Sequence, residues 1–384
     1  MTTGAVAEEL ALRYGMNPHQ KPARAFVESG PLPLQVLQGA PGYINLLDAL
    51  IGWQLVRELS HATGLPAAAS MKHTAPAGAA LGLPLNPALA SSWRVAADTL
   101  SPLAEAYARA RGSDRQASFG DLAVLSNVVD ESTASLLARE VSDGVMAPDY
   151  TPEALAVLRQ KRHGQYLVLS IDEAWEPAPL ERRHVFGITL EQPRNDVEVT
   201  VGEIVTRNTD LSAEARRDLL IAAITLKYTP SNSITLASGG SVIGVGAGQQ
   251  SRIACTRLAC GKAETWWLRQ HPRALSLRFR KGILRPDADN AIDDWLRGTP
   301  SDDLVDASAY LSTEERSDWL SRLNGLALAS DGLIPFRDNV DFAARHGVAY
   351  IWQPGGSARD EDVIRAADEH TMVMCFSGQR LFHH

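Results

Sequence analysis

The sequence has only three cysteines, Cys255, Cys260 and Cys375, in 384 residues. None belongs to a CxxC pair and no histidine-rich spacing accompanies them. That excludes a disulfide framework and leaves buried, idle thiols as the ordinary reading. Long apolar runs are absent too; none approaches the ~20 residues needed to span a bilayer. The opening stretch "MTTGAVAEELALRYG" lacks a basic start and an apolar segment, so no secretory leader is legible. A surplus of positive charge is also missing. The net charge of −8 argues against a general nucleic-acid binder, while a local basic pocket for a phosphate stays open. The expectation is a cytoplasmic protein bound neither to nucleic acid nor to a membrane.

At 45% hydrophobic and 21% charged, the composition is that of an ordinary globular chain. Its length suits two domains better than one. Short apolar runs read as strands: "PAAASM" (66–71), "LAVLS" (122–126), "GVMAP" (144–148), "YLVLS" (166–170), "SVIGVG" (241–246), "GVAYIW" (347–352) and "TMVMCF" (371–376). Between them, 131–143, 212–228 and 360–370 carry helical spacing, the second opening on Ser212 as an N-cap. Strands alternating with helices predict an α/β fold.

The chain also echoes itself. "MKHTAPAGAA" (71–80) lies over "LKYTPSNSIT" (226–235) at an offset of 155, and "SFGDLAVLS" (118–126) loosely parallels "SDGLIPF" (330–336) at a larger one. The reading is two related α/β halves, 1–190 and 191–384, the second carrying an insertion for which 298–323 is the candidate. Residues 172–183, rich in proline and charge, read as a surface connector.

Several groups can carry chemistry. Lys72 and His73 stand side by side at a strand end, where Pro76 and Gly78 predict a turn. Histidine takes a proton near neutral pH, and an adjacent ammonium can hold a developing oxyanion. The plainer alternative is a surface lysine beside a partly buried histidine. "RYGMNPHQ" (13–20) offers Arg13 as a phosphate fork and Tyr14 beside it. Asn232, in "YTPSNS", is both donor and acceptor, suited to an amide or heterocycle, unless it merely forms a turn. "GVGAGQQSR" (244–252) resembles a phosphate-binding glycine loop but does not complete GxGxxG. The zinc-deaminase pair H-x-E and P-C-x-x-C does not occur, so no metal ligands are assigned. "GQRLFHH" at the end suggests a docked terminus.

Taken together, "RYGMNPHQ", "GAPGYINLLDAL", "KHTAPAGAA", "AYARARGSDRQASFGD", "REVSDGVMAP", "KYTPSNS", "GVGAGQQSRIACTRLA", "PFRDNVD" and "RLFHH" resemble, in order, the AICAR transformylases, and closest the C-terminal half of the bifunctional transformylase/IMP cyclohydrolase. That resemblance implies transfer of a formyl group from 10-formyltetrahydrofolate to the 5-amine of AICAR, giving FAICAR in purine (IMP) biosynthesis. It implies duplicated cytidine-deaminase-like domains without zinc, a homodimer with sites near its interface, no catalytic metal and, in some members, a structural potassium ion. Residue by residue, His73 matches the catalytic base, Lys72 its assisting lysine, and Asn232 the carboxamide or reacting region. Arg13, Tyr14, Gly120, Asp143, Leu333 and Arg380 match substrate-binding positions. Ile253, Asp338, Ser357 and Ala358 match the folate side. Leu333-Ile334 replaces the family's phenylalanine pair, which predicts an aliphatic folate wall. The cyclohydrolase domain that precedes Arg13 in bifunctional members is not matched, which implies a separate IMP cyclohydrolase. Two other readings stay open: a folate-dependent formyltransferase acting on another aminoimidazole or amine, and a catalytically silent nucleotide-binding protein.

Overall fold

The computed structural model describes residues 9–305 and 310–384. The first eight residues of the stretch read for a leader, and 306–309 of the candidate insertion, lie outside the described residues.

Along the chain, β1 (Glu9–Leu12) and β2 (Ala23–Phe26) pair as a hairpin. β3 (Leu34–Gln38) precedes the long helix α1 (Tyr43–Thr63). The strands β4 (Ala67–Lys72) and β5 (Ala75–Leu81) form a tight hairpin, followed by α2 (Pro87–Trp93) and α3 (Pro102–Gly112). Then come β6 (Asp121–Leu125), α4 (Glu131–Arg139), β7 (Ser142–Ala147), α5 (Pro152–Gln160) and β8 (Leu167–Ile171). A separate exposed hairpin, β9 (Leu180–Val185) and β10 (Ile188–Pro193), leads to β11 (Glu203–Ile204).

The second part starts with α6 (Ala213–Lys227), capped by Ser212, whose hydroxyl accepts from the Ala215 N–H at 3.1 Å. β12 (Ile234–Ser238), β13 (Ser241–Gly246) and α7 (Arg252–Leu268) follow. A helical excursion comprises α8 (Pro272–Leu275), α9 (Arg285–Arg297) and α10 (Thr313–Leu320). The chain closes with β14 (Leu326–Ser330), α11 (Arg337–Arg345), β15 (Val348–Gln353), α12 (Asp360–Glu369) and β16 (Val373–Phe376).

Twelve strands make one sheet in the order β11-β16-β15-β14-β12-β13-β5-β4-β6-β7-β8-β3. Read outward from its centre, the two halves have the same connectivity. Each has an antiparallel hairpin, an antiparallel neighbour, two parallel strands and an antiparallel edge strand. The equivalences run β4 to β12 and β6 to β14. The offset is 167 between Ala67 and Ile234 and 205 between Asp121 and Leu326. The growth falls where α8, α9 and α10 sit, so the extra chain in the second half is this excursion, with its own small core of Leu268, Ala291, Trp295 and Leu304.

The sequence overlay of Lys72 on Lys227 does not survive. Lys72 ends a strand and Lys227 ends a helix. Lys227 donates to Glu58 Oε2 at 2.8 Å and Tyr228 OH reaches the same oxygen at 2.6 Å, so this motif ties α6 to α1.

Both sheet faces are covered, which is why the strands read as unbroken apolar runs rather than alternating ones. One face packs α1 and α6 against Ala69, Met71, Val124, Leu169, Ala329 and Val373. The other packs α3, α4, α7, α11 and α12 against Ala123, Val145, Ile243, Leu328 and Ile351. Close approach of α7 explains Gly244 and Gly246, the first two glycines of "GVGAG". A Cβ on Gly244 would sit 2.2 Å from the Ala259 oxygen, and one on Gly246 2.1 Å from the Cys255 oxygen. These glycines belong to a strand under a helix, not to a phosphate loop.

Candidate functional site

Two places in the structure collect the residues singled out from the sequence. The first is the β4–β5 turn. Lys72 pairs with Ala75, so His73 and Thr74 alone make the connection. Both have positive φ, 54° and 63°. A two-residue hairpin of this kind favours Asn-Gly, because glycine adopts the left-handed region freely. His-Thr does not, and each such residue stores about 1–3 kcal/mol. Pro76 and Gly78, expected to make the turn, are buried inside β5 instead.

The turn leaves His73 exposed and Lys72 half-buried. The Lys72 ammonium donates to the Phe119 carbonyl and lies 5.9 Å from the centre of the Phe119 ring. Gly120 follows with φ 71°; a Cβ there would stand 3.8 Å from Asp143 Oδ1 and 3.9 Å from Lys72 Nζ. Lys72, Gly120 and Asp143 therefore converge. Asp143 is also 3.3 Å from an Arg162 nitrogen. Under the turn, the carboxylate of Asp48 accepts the Thr74 N–H at 2.6 Å. Burial pushes the Asp48 carboxyl above its usual range, against the Thr74 amide and His73, which favour its ionised form.

The second place is a cleft of about 1020 Å³ in the second half, lined by Asn232, Ile253, Leu333, Asp338 and Arg380, together with Arg252, Phe336 and Phe382. The first turns of α7 and α11 face it, and helix N-termini favour anions. Its floor is a buried polar cluster. Asp331 is fully buried; its carboxylate accepts from Arg252, from the Ser231 hydroxyl at 2.6 Å and from the Ser233 N–H at 3.0 Å. Arg252 also donates to Asn232 Oδ1 at 2.9 Å, while Asn232 Nδ2 donates to the Gln249 carbonyl at 2.9 Å. The Asn232 amide is thus fixed in orientation, with one N–H and one oxygen lone pair left for a ligand.

The docked C-terminus completes the cleft. Leu381 is fully buried and its N–H donates to the Asp331 carbonyl at 2.9 Å; Ser231 N–H donates to the His383 carbonyl at 2.9 Å. This aims Arg380 outward, stacked 4.8 Å over the Phe382 ring. Leu333 is 39% exposed in the cleft whereas Ile334 is 1% exposed and belongs to the core. The expected aliphatic wall is therefore a single residue. Phe336 and Phe382 still supply flat aromatic surface, and Arg359 stacks 4.9 Å over Phe336.

Ser357 and Ala358 do not line the cleft. They lie just beyond Pro354 and Gly355, which do, in a loop whose Gly356 and Ser357 amides donate to Asp360 at 2.7 and 3.1 Å. Arg13 and Tyr14 stand in contact with each other after β1, at 5.6 Å, apart from the cleft-lining set. Lys72, His73, Gly120 and Asp143 are also outside that set. Sequence reading missed Arg252, Asp331, Phe336, Phe382 and Asp48. Arg252 ends the stretch "GAGQQSR" at the start of α7, and its signal in the sequence is that position at a helix N-terminus. Among the described residues no group of three or more His, Cys, Asp or Glu side chains is placed to hold a metal, and no helix is long and apolar enough to cross a membrane.

Fold and site define an α/β protein built on one mixed sheet of two like-connected halves, with an arginine- and aromatic-lined cleft suited to a flat, anionic small molecule. A family model described as AICARFT/IMPCHase bienzyme matches residues 1–262. The chain is 31% identical over 392 residues to a bifunctional purine biosynthesis protein PurH of Sorangium cellulosum, covering 100% of this chain and 60% of that protein. It is 33% identical over 383 residues to the protein of the same name from Magnetococcus marinus, covering 97% of this chain and 59% of that protein. The chain belongs to the AICARFT/IMPCHase bienzyme family, and it spans about three-fifths of the length of these relatives.

Proposed function

We propose that this chain is an AICAR formyltransferase: it transfers the formyl group of 10-formyltetrahydrofolate to the 5-amine of AICAR, giving FAICAR and tetrahydrofolate in purine biosynthesis. The observation that carries the reading is the cleft, which gathers Asn232, Ile253, Leu333, Asp338 and Arg380 from four separate stretches of chain. The attacking amine is conjugated to a carboxamide-bearing imidazole and is a poor nucleophile. A base must take its proton as nitrogen reaches the formyl carbon, and His73 serves there. Oxygen charge then builds on that carbon's carbonyl, and the Lys72 ammonium stabilises it. The new C–N bond is complete in this tetrahedral adduct; its collapse re-forms the formyl C=O and breaks the C–N bond to the folate, whose nitrogen recovers the proton that His73 took from the amine. Asn232 orients the carboxamide. Arg380, with Arg13, Tyr14, Gly120 and Asp143, holds the nucleotide. Ile253 and Asp338 hold the folate in the cleft, and Ser357 and Ala358 contact it from the adjoining loop beyond Pro354 and Gly355.

The halves of the sheet are read as duplicated cytidine-deaminase-like domains dividing near residue 190, supported by their repeated connectivity. The enzyme is placed in the cytoplasm as a homodimer. His73 is not among the residues that line the cleft, which supports a homodimer in which a second copy's turn completes each site. A structural potassium ion would take oxygen donors of the kind found around Asp331: its carboxylate, the Ser231 hydroxyl, and Ser233 Oγ, which is buried without a hydrogen-bond partner.

The test is purified protein with AICAR and 10-formyltetrahydrofolate, following tetrahydrofolate release. Turnover with AICAR supports the proposal. Turnover only with another aminoimidazole or amine replaces it with a sister transferase, and binding without turnover replaces it with a silent nucleotide-binding protein.

A further inference from the structure

We propose that Asp48 is a positioning residue for His73: its buried carboxylate pins the backbone of the His73–Thr74 turn and thereby fixes where the imidazole points. The inference rests on the reading of His73 as the base. It is carried by three observations. The turn places a histidine and a β-branched threonine in the left-handed region, which neither adopts by preference. Inside the turn only a weak aid is present, the Thr74 hydroxyl donating to the neighbouring His73 carbonyl at 2.7 Å. The strong partner comes from outside. Asp48 Oδ1 accepts the Thr74 N–H at 2.6 Å and the His73 amide also supports this carboxylate.

Asp48 cannot drift to follow the turn, because α1 is locked to the sheet one helical turn further on. At Gly52 a Cβ would stand 2.7 Å from Met71 and 2.6 Å from Val124, so helix and strands touch with no slack. Asp48 itself is 5% exposed. The titratable groups that face it are His73 on the turn and Asp121 on β6. A helix rigidly seated on β4 and β6 thus presents a carboxylate to the turn amides that a relaxed turn would withdraw. Lys72, immediately before the turn, is held separately through the Phe119 carbonyl, so loss of Asp48 misplaces His73 rather than the lysine.

The experiment uses the full chain in three variants: Asp48→Ala, Asp48→Asn, and Asp48→Ala combined with Thr74→Gly. Asp48→Ala should lower kcat by about 10²-fold, the scale of a small misplacement of a reacting group, with the KM for AICAR within about threefold, since Asp48 holds the turn amide and not Gly120, Asp143 or Arg380. Asp48→Asn keeps an oxygen acceptor and should fall between wild type and Asp48→Ala. Adding Thr74→Gly removes the Thr74 share of the strain that Asp48 offsets, so the double variant should regain at least about tenfold in kcat. A kcat for Asp48→Ala within twofold of wild type, or a double variant as slow as the single one, overturns the proposal. Crystal structures of Asp48→Ala and the double variant give a reading independent of turnover. A turn that leaves positive φ in the single variant and returns to it in the double one supports the assignment; an unchanged turn in Asp48→Ala overturns it. Should wild type fail to turn AICAR over, the formyl-transfer reading falls, while these structures still decide whether Asp48 holds the turn. If Asp48→Ala does not fold, the double variant carries the same test, and a turn of altered shape there overturns the proposal.

Discussion

His73 and Arg380 stand for the two chemistries the site must combine. His73→Ala removes the base while leaving the nucleotide's partners in place. We expect turnover to fall at least about 10²-fold, the minimum for a lost general base, with AICAR binding retained by calorimetry; a variant keeping a tenth of wild-type turnover contradicts the role. Arg380 is exposed in the cleft and braced by the Phe382 ring. Arg380→Ala should weaken AICAR far more than its dephosphorylated riboside. Equal losses for the two ligands, measured by titration, remove the phosphate assignment. Leu333→Phe adds a ring beside Phe336 and Phe382 and should tighten folate binding. Weaker binding would mean that the cleft is already shaped around the smaller side chain. These residues differ in how they could be read from sequence. The left-handed His73–Thr74 turn was invisible because its residues carry no glycine or asparagine signal. Ile334, adjacent to Leu333, belongs to the core because the sheet, not the local sequence, decides which of two neighbours faces the cleft.

At the scale of elements, the most consequential arrangement is the arginine–carboxylate network that seats the helical excursion on the first half. Glu140, at the end of α4, pairs with Arg111 at 3.1 Å, Arg115 at 3.4 Å and Arg285 at 2.7 Å, while Asp289 holds Arg94 and Arg115 at 2.9 Å each. Burial pushes the Glu140 carboxyl up, but Arg115, Arg111 and Arg285 outweigh it and hold it below its usual range. A carboxylate depressed in the folded state stabilises above its unfolded pKa and loses that contribution as pH falls through the folded value. Glu140→Gln should therefore cost about 3 kcal/mol at neutral pH. The gap from wild type in urea unfolding should narrow below about pH 4; a gap independent of pH would show that the charge is not what matters. The elements themselves were largely legible. All seven apolar runs became strands, because a strand buried on both faces announces itself by composition. The helix read over 131–143 stops at Arg139, since Ser142 and Asp143 already belong to β7. The β9–β10 hairpin was not seen: its exposed residues mix charge and apolar side chains without a buried face to impose alternation. Nor was the Arg252–Asp331 pair, whose members are brought together only by the fold.

For the whole molecule, the decisive question is whether one chain or two build a site. Two dead variants, His73→Ala and Arg380→Ala, are dissociated, mixed equally and reassociated. If each site draws its base from one copy and its arginine from the other, about half the dimers are mixed and roughly a quarter of wild-type activity returns. A mixture that stays dead, with mixed dimers demonstrated by mass, assigns both residues to one chain. The central seam of the sheet has a separate consequence. β5 meets β13 at Ala80 and Ser241, and buried Arg109 stitches the join through the Gly239 carbonyl at 3.2 Å and the Leu83 carbonyl at 2.9 Å. The β5 edge of the sheet therefore stays open until β13 emerges from the ribosome, long after β4 and β5 have been made. Until then a nascent chain displays a raw strand edge of small apolar residues. At high synthesis rates that edge finds the same edge on a neighbouring nascent chain, so slower translation and lower temperature should raise the yield of properly assembled protein.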